Sequence, residues 1–272
     1  MQVDEAVRLG LVKNRTAGWA LRGIETFFLK NADRVTTITQ AMRRRIVEKG
    51  VPEENTWLFP NWADIGHMRP GSKDTEFRRT LGISLDDVLV MYAGNMGDKQ
   101  GLEIVLQAAH RLREHPEIRF VMIGAGAARA RMESMAKRLD LPNLQFLPVQ
   151  PLEKLPEIFA SSDLHLVVQK REAADLVMPS KLTNICAAGR PCVATTDPGT
   201  ALHDAVVGSN LGVAVPPQDE EALAASIERL AADSPRRVEM GRNARVFAQE
   251  KLDKETILKE FETHLKKLTA GF

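Results

Sequence analysis

The chain has 272 residues, a formal net charge of +1, 44% apolar residues and 27% charged residues, the balance of a globular protein long enough for one large domain or two ordinary ones. With no net field to hold a polyanion, whole-surface nucleic-acid binding is excluded as a function class, and no apolar run approaches the length of a membrane span. Cys186 and Cys192 are the only cysteines and flank Gly189-Arg190-Pro191, so they read as two buried thiols of a reducing, cytoplasmic compartment and not as a disulfide or a metal site.

The chain starts Met1-Gln2-Val3-Asp4-Glu5, without the cationic start and apolar run of a secretory signal. Trp19–Leu29 is helical and strongly apolar, Arg34–Thr39 is β-rich, Gln40–Lys49 is a basic helix stopped by Gly50, and Thr56–Phe59 is a short strand broken by Pro60-Asn61. So few strands cannot form a covered sheet alone. Residues 1–62 therefore read as the remnant of an α/β domain whose earlier part is expected to precede them. Residues 63–73, with Pro70-Gly71-Ser72, read as a linker.

From Val88 onward short apolar runs alternate with helical ones. The strands are expected at Val88–Tyr92, Arg119–Ile123, Leu144–Leu147, Leu164–Val168, Cys192–Thr195 and Gly212–Val215. The helices are expected at Leu102–His115, Arg129–Leu139, Leu152–Ala160, Lys181–Ala188, Ala201–Val207 and Glu220–Ala231. Continuous apolar strands alternating with helices predict a Rossmann-like, doubly wound parallel sheet over residues 74–250. Ser234–Leu268 reads as two polar helices, with Pro235 near the first start and Asp253 capping the second. Residues 251–272 are expected to cross back toward the N-terminal part.

Three segments carry candidate chemistry. In Gly94-Asn95-Met96-Gly97-Asp98-Lys99-Gln100-Gly101, a Gly-rich turn after a strand lets backbone N–H groups approach an anion. Lys99 and Asn95 would serve a diphosphate; a plain strand–helix turn is the rival reading. Ile123-Gly124-Ala125-Gly126 starts like a dinucleotide fingerprint, but Arg129 stands at the third glycine position. Gly124 and Gly126 therefore either contact a nucleoside or serve sheet packing. In Asp175-Leu176-Val177-Met178-Pro179-Ser180-Lys181-Leu182-Thr183-Asn184, Ser180 is a candidate N-cap, Lys181 a phosphate partner and Asn184 a hydroxyl partner. The six histidines show no ligand spacing, so no metal is expected. Arg43-Arg44-Arg45 reads as a solvated face or as a contact for an acidic or membrane surface.

In order and spacing, Asn31-Ala32-Asp33-Arg34-Val35, Phe59-Pro60-Asn61, Tyr92-Ala93-Gly94 through Gly101, Ile123 to Gly126, Ala187 to Thr195 and Gly212 to Pro216 make the chain similar to the retaining GT-B glycosyltransferases of family 4, group 1. The Pro179-Ser180-Lys181-Leu182-Thr183-Asn184 variant resembles the subgroup of colanic acid and O-antigen transferases. The resemblance implies two facing Rossmann-like domains, of which this chain holds the C-terminal, nucleotide-sugar-binding one and part of the other. It implies a UDP- or GDP-sugar donor, no cofactor or metal, and a saccharide or lipid-linked saccharide acceptor, with peripheral contact at the inner face of the cell membrane and no nucleic acid. It matches Lys99 to the family's diphosphate lysine and the backbone amides of Met178 to Leu182 to the segment that cradles sugar and phosphate; joined with the reading of the residues themselves, Lys99, Asn95 and Lys181 are expected at the reacting diphosphate and Gly94, Gly97, Gly124, Gly126, Asp175, Met178, Pro179, Ser180, Leu182 and Asn184 at the donor. The family's arginine falls on Asn95, and its two glutamates fall on Leu176 and Asn184. The alternative is a module that binds nucleotide sugar without turnover.

Overall fold

The computed structural model describes Val3, residues 14–171 and residues 178–269. The first unit holds α1 (Arg15–Lys30), β1 (Val35–Thr37), α2 (Gln40–Glu48) and β2 (Thr56–Leu58). Asn14 caps α1 through the Thr16 and Ala17 N–H groups, and Thr39 caps α2 through Met42 N–H at 3.1 Å. Gly50 ends the α2 region at φ +91°. β1 and β2 pair in parallel as a two-stranded sheet. One side of α1 is open, leaving Trp19 78% and Phe28 68% exposed.

The second unit begins with α3 (Glu76–Thr80), capped by Thr75. It continues through β3 (Val88–Ala93), α4 (Glu103–Arg111), β4 (Ile118–Ile123), α5 (Arg129–Arg138), β5 (Leu144–Leu147), α6 (Leu155–Ser161), β6 (Leu164–Val167), α7 (Lys181–Ala187), β7 (Cys192–Thr195), α8 (Ala201–Gly208) and β8 (Gly212–Val215). Three further helices follow, α9 (Glu220–Ala232), α10 (Ser234–Lys251) and α11 (Lys254–Thr269). The six strands β3 to β8 pair in parallel in the order β5-β4-β3-β6-β7-β8. This is the doubly wound α/β class read from the sequence.

Side chains alternate across β3. Val88, Val90 and Tyr92 join the core under α4 and α9, and Leu89 and Met91 join the opposite core under α6, α7 and α10. Both faces are thus covered, which is why the strands read as unbroken apolar runs. The chain winds outward from β3 to β5 and then returns to β6 on the other flank, so the C-terminal ends of β3 and β6 meet where the winding reverses. Ligand crevices of such sheets open at that point.

Residues 63–73 are pinned. Ala63 bridges Asp253, and Arg245 of α10 donates to the carbonyls of Ile65 and Met68 at 3.1 and 3.0 Å. α11 lies against the first unit, with Phe261 stacked on Phe59 at 4.1 Å and His264 beside Trp57 at 4.8 Å. Asp253 caps α11 through Thr256 N–H. Two local expectations change. Leu152–Lys154 is a 3-10 turn that precedes α6, and Glu76–Thr80 adds a helix that the sequence reading left as chain. Both cysteines are buried and unbridged.

Candidate donor-binding site

The loop after β3 is held from below by the loop after β4. Gly94 N–H donates to Ile123 O at 2.9 Å, Met96 N–H to Ala125 O at 2.8 Å, and Ala128 N–H back to Met96 O at 2.9 Å. Contact this close needs glycine. A Cβ on Gly124 would meet Gly94 O at 1.9 Å, and one on Gly126 would meet Met96 O at 2.4 Å. The second glycine motif therefore serves loop packing, and neither glycine lines the cavity above.

The β3 loop then turns through a short 3-10 segment, Asp98–Gln100, closed by Gly97 N–H to Gln100 Oε1 at 3.1 Å. Asp98 is drawn outward by Arg131 of α5 at 2.7 Å. The carbonyl of Lys99 accepts from Lys170 N–H at 3.2 Å, which ties the β3 loop to the loop after β6.

Between these loops lies a cavity of about 680 Å³. The β3 side gives Gly94, Asn95, Lys99 and Gln100; the β6 and α7 side gives Val168, Gln169, Met178 to Lys181, Thr183 and Asn184; Ile38, Asn61 and Trp62 come from the first unit. Asn61 Nδ2 donates to Met178 O at 3.2 Å and fixes the two units across the opening. Two lysines and no carboxylate stand among the described lining residues.

Lys181 is held in place by an aromatic ring. Its Nζ stands 4.0 Å from the centroid of the Tyr92 ring, and Tyr92 is fixed by donating from its hydroxyl to Asn95 O at 2.6 Å. Burial lowers the Lys181 pKa to about 7, and burial likewise raises that of the Tyr92 phenol. A cation held in low dielectric against an aromatic face, with no acid among the described residues lining the cavity, favours an anionic guest.

The helical turn decides which α7 residues reach the cavity. Lys181 and Asn184, three apart, line it, whereas Leu182 is 1% exposed and packs with Ile185 in the core. Leu182 is therefore a core residue, with its N–H taken by Pro179 O at 3.1 Å. Ser180 occupies the N-cap position, but its backbone is helical (φ −60°, ψ −25°) instead of extended and its side chain makes no cap; Thr183 Oγ1 donates to the Ser180 carbonyl at 2.7 Å. Among the residues singled out from the sequence, Lys99, Asn95, Lys181, Gly94, Met178, Pro179, Ser180 and Asn184 converge on the cavity. Gly97, Gly124, Gly126 and Leu182 do not line it. Asp175 and Leu176 lie outside the described residues. Gln100, Gln169, Asn61 and Trp62 line it without having been marked as site residues; Gln169 was signalled only by following a strand at its C-terminal end. No group of three or more His, Cys, Asp or Glu suited to a metal ion occurs among the described residues.

Known proteins are similar to this chain in sequence and in fold. Residues 73–247 match the family described as glycosyl transferases group 1, and residues 3–62 match the glycosyl transferase 4-like domain. A protein of Escherichia coli (strain K12), WcaI, named for glycosyl transfer in colanic acid biosynthesis, is 40% identical over 268 residues, covering 96% of this chain and 64% of its own length. A D-inositol 3-phosphate glycosyltransferase of Corynebacterium kroppenstedtii is 30% identical over 263 residues, covering 89% of this chain and 57% of its own. The chain thus spans less than two thirds of these relatives. In structure, sucrose-phosphate synthase from Thermosynechococcus elongatus superposes with a TM-score of 0.80 at 22% identity, over 98% of this chain and 66% of that one. Anabaena HepE, in complex with UDP-glucose, gives 0.78 at 19% identity, over 94% and 69%. On the 40% identity and the two matched segments, the chain belongs to the group 1 glycosyl transferases.

Proposed function

We propose that the cavity binds the diphosphate of a UDP- or GDP-sugar and that the protein transfers the glycosyl group, with retained anomeric configuration, to a saccharide acceptor in bacterial surface polysaccharide biosynthesis. The observation that carries this reading is the pair Lys99, from the loop after β3, and Lys181, at the start of the helix that follows the adjacent β6, lining one cavity where the sheet winding reverses, with no carboxylate among the described lining residues. Breaking the glycosidic bond gives oxocarbenium character to the sugar and leaves growing negative charge on the departing diphosphate. Fixed donors aimed at that charge stabilise the transition state more than the ground state. Lys99, Lys181 and the Asn95 amide are assigned that work. The wall contributed by Ile38, Asn61 and Trp62 faces the acceptor side.

The acceptor is assigned as lipid-linked. The exposed apolar side of α1, with Trp19, Phe27 and Phe28, supports contact with the membrane surface at the cytoplasmic face. No helix among the described residues is long and apolar enough to cross a membrane. Flotation with anionic vesicles tests the contact, and loss of flotation in Trp19→Ser/Phe28→Ser is the expected result.

Calorimetry with UDP, GDP and their sugar conjugates, run beside a transfer assay, tests the whole reading. Binding of one nucleotide and its sugar, with an α-linked product from an α-linked donor, is expected. Binding without transfer favours a donor-binding module, the second reading. Absence of binding to any nucleotide removes both readings.

A further inference from the structure

Gln169 follows β6 at its C-terminal end, beside the point where the winding of the sheet reverses. Its main chain is locked by one side chain of β7. Gln169 N–H donates to Thr195 Oγ1 at 2.9 Å, and Thr195 Oγ1 donates to Gln169 O at 2.8 Å. Thr195 is fully buried and Gln169 is 6% exposed. The backbone position is thus fixed, and only the carboxamide can adapt.

One end of that carboxamide is unsatisfied. Its buried Nε2 has no hydrogen-bond partner among the described residues. Four other side chains among the described residues bury an orphan atom, but Arg34 and Arg190 make hydrogen bonds through another guanidinium nitrogen and Asn143, whose orphan is Oδ1, through its Nδ2, and His165 stacks on Phe159. None of those four lines the donor cavity; Gln169 does. A buried amide without a partner opposes folding, and a methionine of the same length would avoid that cost. Turning the amide end for end exchanges the buried nitrogen for a buried oxygen and leaves one terminal atom in need of a partner either way. Gln169 stands on the wall of the cavity that also holds Lys99 and Lys181, so a guest there would lie beside this carboxamide, whose terminal torsion can turn to meet it.

We infer that Gln169 is a substrate-binding residue whose carboxamide hydrogen-bonds an oxygen of the bound nucleotide sugar, either on the diphosphate or on a hydroxyl of the transferred sugar. The inference rests on the donor reading of the cavity. It adds a neutral, directional contact to the two ammonium groups, and such a contact discriminates between ligands where point charges do not.

The test uses the full chain with Gln169→Met and Gln169→Glu, thermal melts without ligand, and calorimetry with UDP, UDP-glucose, GDP and GDP-mannose. The expected result is that Q169M melts at or above the wild-type temperature and binds nucleotide sugar about tenfold more weakly. If the contact is to phosphate, UDP or GDP alone weakens as much as its sugar conjugate, and Q169E weakens both further by repulsion. If it is to a sugar hydroxyl, only the conjugate weakens in Q169M, and Q169E, which accepts from a hydroxyl, retains most of the affinity. Wild-type affinity in both variants overturns the inference and leaves the donor site standing. A lowered Q169M melting temperature with unchanged affinity also overturns it, because the amide would then be structural. A wild-type chain that binds none of the four probes removes the donor reading and this inference together.

Discussion

The ammonium of Lys181 rests 4.0 Å from the centre of the Tyr92 ring, in a cavity whose described lining contains no carboxylate. Burial brings its pKa down from 10.5 to about 7, so without ligand it is part neutral at physiological pH. A diphosphate beside it favours the charged form, and binding therefore takes up a proton above pH 7. By linkage the affinity for UDP or GDP is expected to fall as pH rises past about 7, by at most about tenfold per pH unit. Calorimetry in buffers of different ionisation enthalpy should register up to one proton taken up; affinity that is flat from pH 6.5 to 9 contradicts it.

The same residue sets a stability effect of the opposite sign in the free protein. Its folded-state pKa lies below its unfolded value, so between about pH 7 and pH 10.5 the unfolded chain binds more protons than the native one, and Lys181's contribution to stability improves as pH rises through that window. Lys181→Met removes the buried charge. It is expected to melt higher than wild type at pH 7, with the advantage shrinking toward pH 10, while nucleotide binding weakens about tenfold to hundredfold. A variant that loses both stability and binding would mark Lys181 as a packing residue.

Most of the second unit was legible because each strand is covered on both faces. Leu144–Leu147, Cys192–Thr195 and Gly212–Val215 match their sequence-read limits to the residue. The five-residue α3 was not, since so short a segment shows little periodicity and is fixed mainly by the Thr75 cap and by the buried side chain of its own Arg78. At the site, Lys99 and Lys181 could be read from loops that follow strands. That Leu182 turns inward while Asn184 turns outward follows from the 100° step of a helix once its start is known. Gln169 sits in no motif; its significance is an unsatisfied hydrogen bond, which only a folded chain displays.

Gly124 makes the loop packing testable. Its φ is +150° and an added Cβ would strike Gly94 O at 1.9 Å, so Gly124→Ala must push the two loops apart. A destabilisation of more than about 1 kcal/mol is expected, together with weaker nucleotide binding, because Gly94 and Asn95 move with the loop. Gly82, also at positive φ (+66°) but with nothing within 4 Å of an added Cβ, is the control. Gly82→Ala should lower the melting temperature while leaving ligand affinity at the wild-type value.

At the opposite end of the sheet from the site, Arg78 is 1% exposed and spends its guanidinium on Ser84 O, Ser161 O, Asp87 O and Asp163 Oδ2, the last at 2.9 Å. Asp163 in turn accepts from Leu89 N–H at 3.0 Å and pairs with Lys73 at 3.1 Å, joining α3, β3 and the start of β6. Burial pushes the Asp163 carboxyl up, but the bonds from Arg78 and Leu89 and the two nearby cations outweigh it, and it titrates below the ordinary carboxylate range. A depressed carboxylate contributes stability that is whole above its unfolded pKa of about 3.9 and is lost as pH falls through the lower folded value. Arg78→Met removes the buried cation beside Asp163, leaving it Lys73 and the Leu89 N–H, and is expected to cost about 3 kcal/mol at neutral pH, read as a lower denaturant midpoint. The loss should shrink below pH 4 as Asp163 takes up a proton, and nucleotide affinity of the folded fraction should stay at the wild-type value. A loss independent of pH down to 3 would assign the effect to the missing carbonyl contacts of Arg78 instead of its pairing with Asp163.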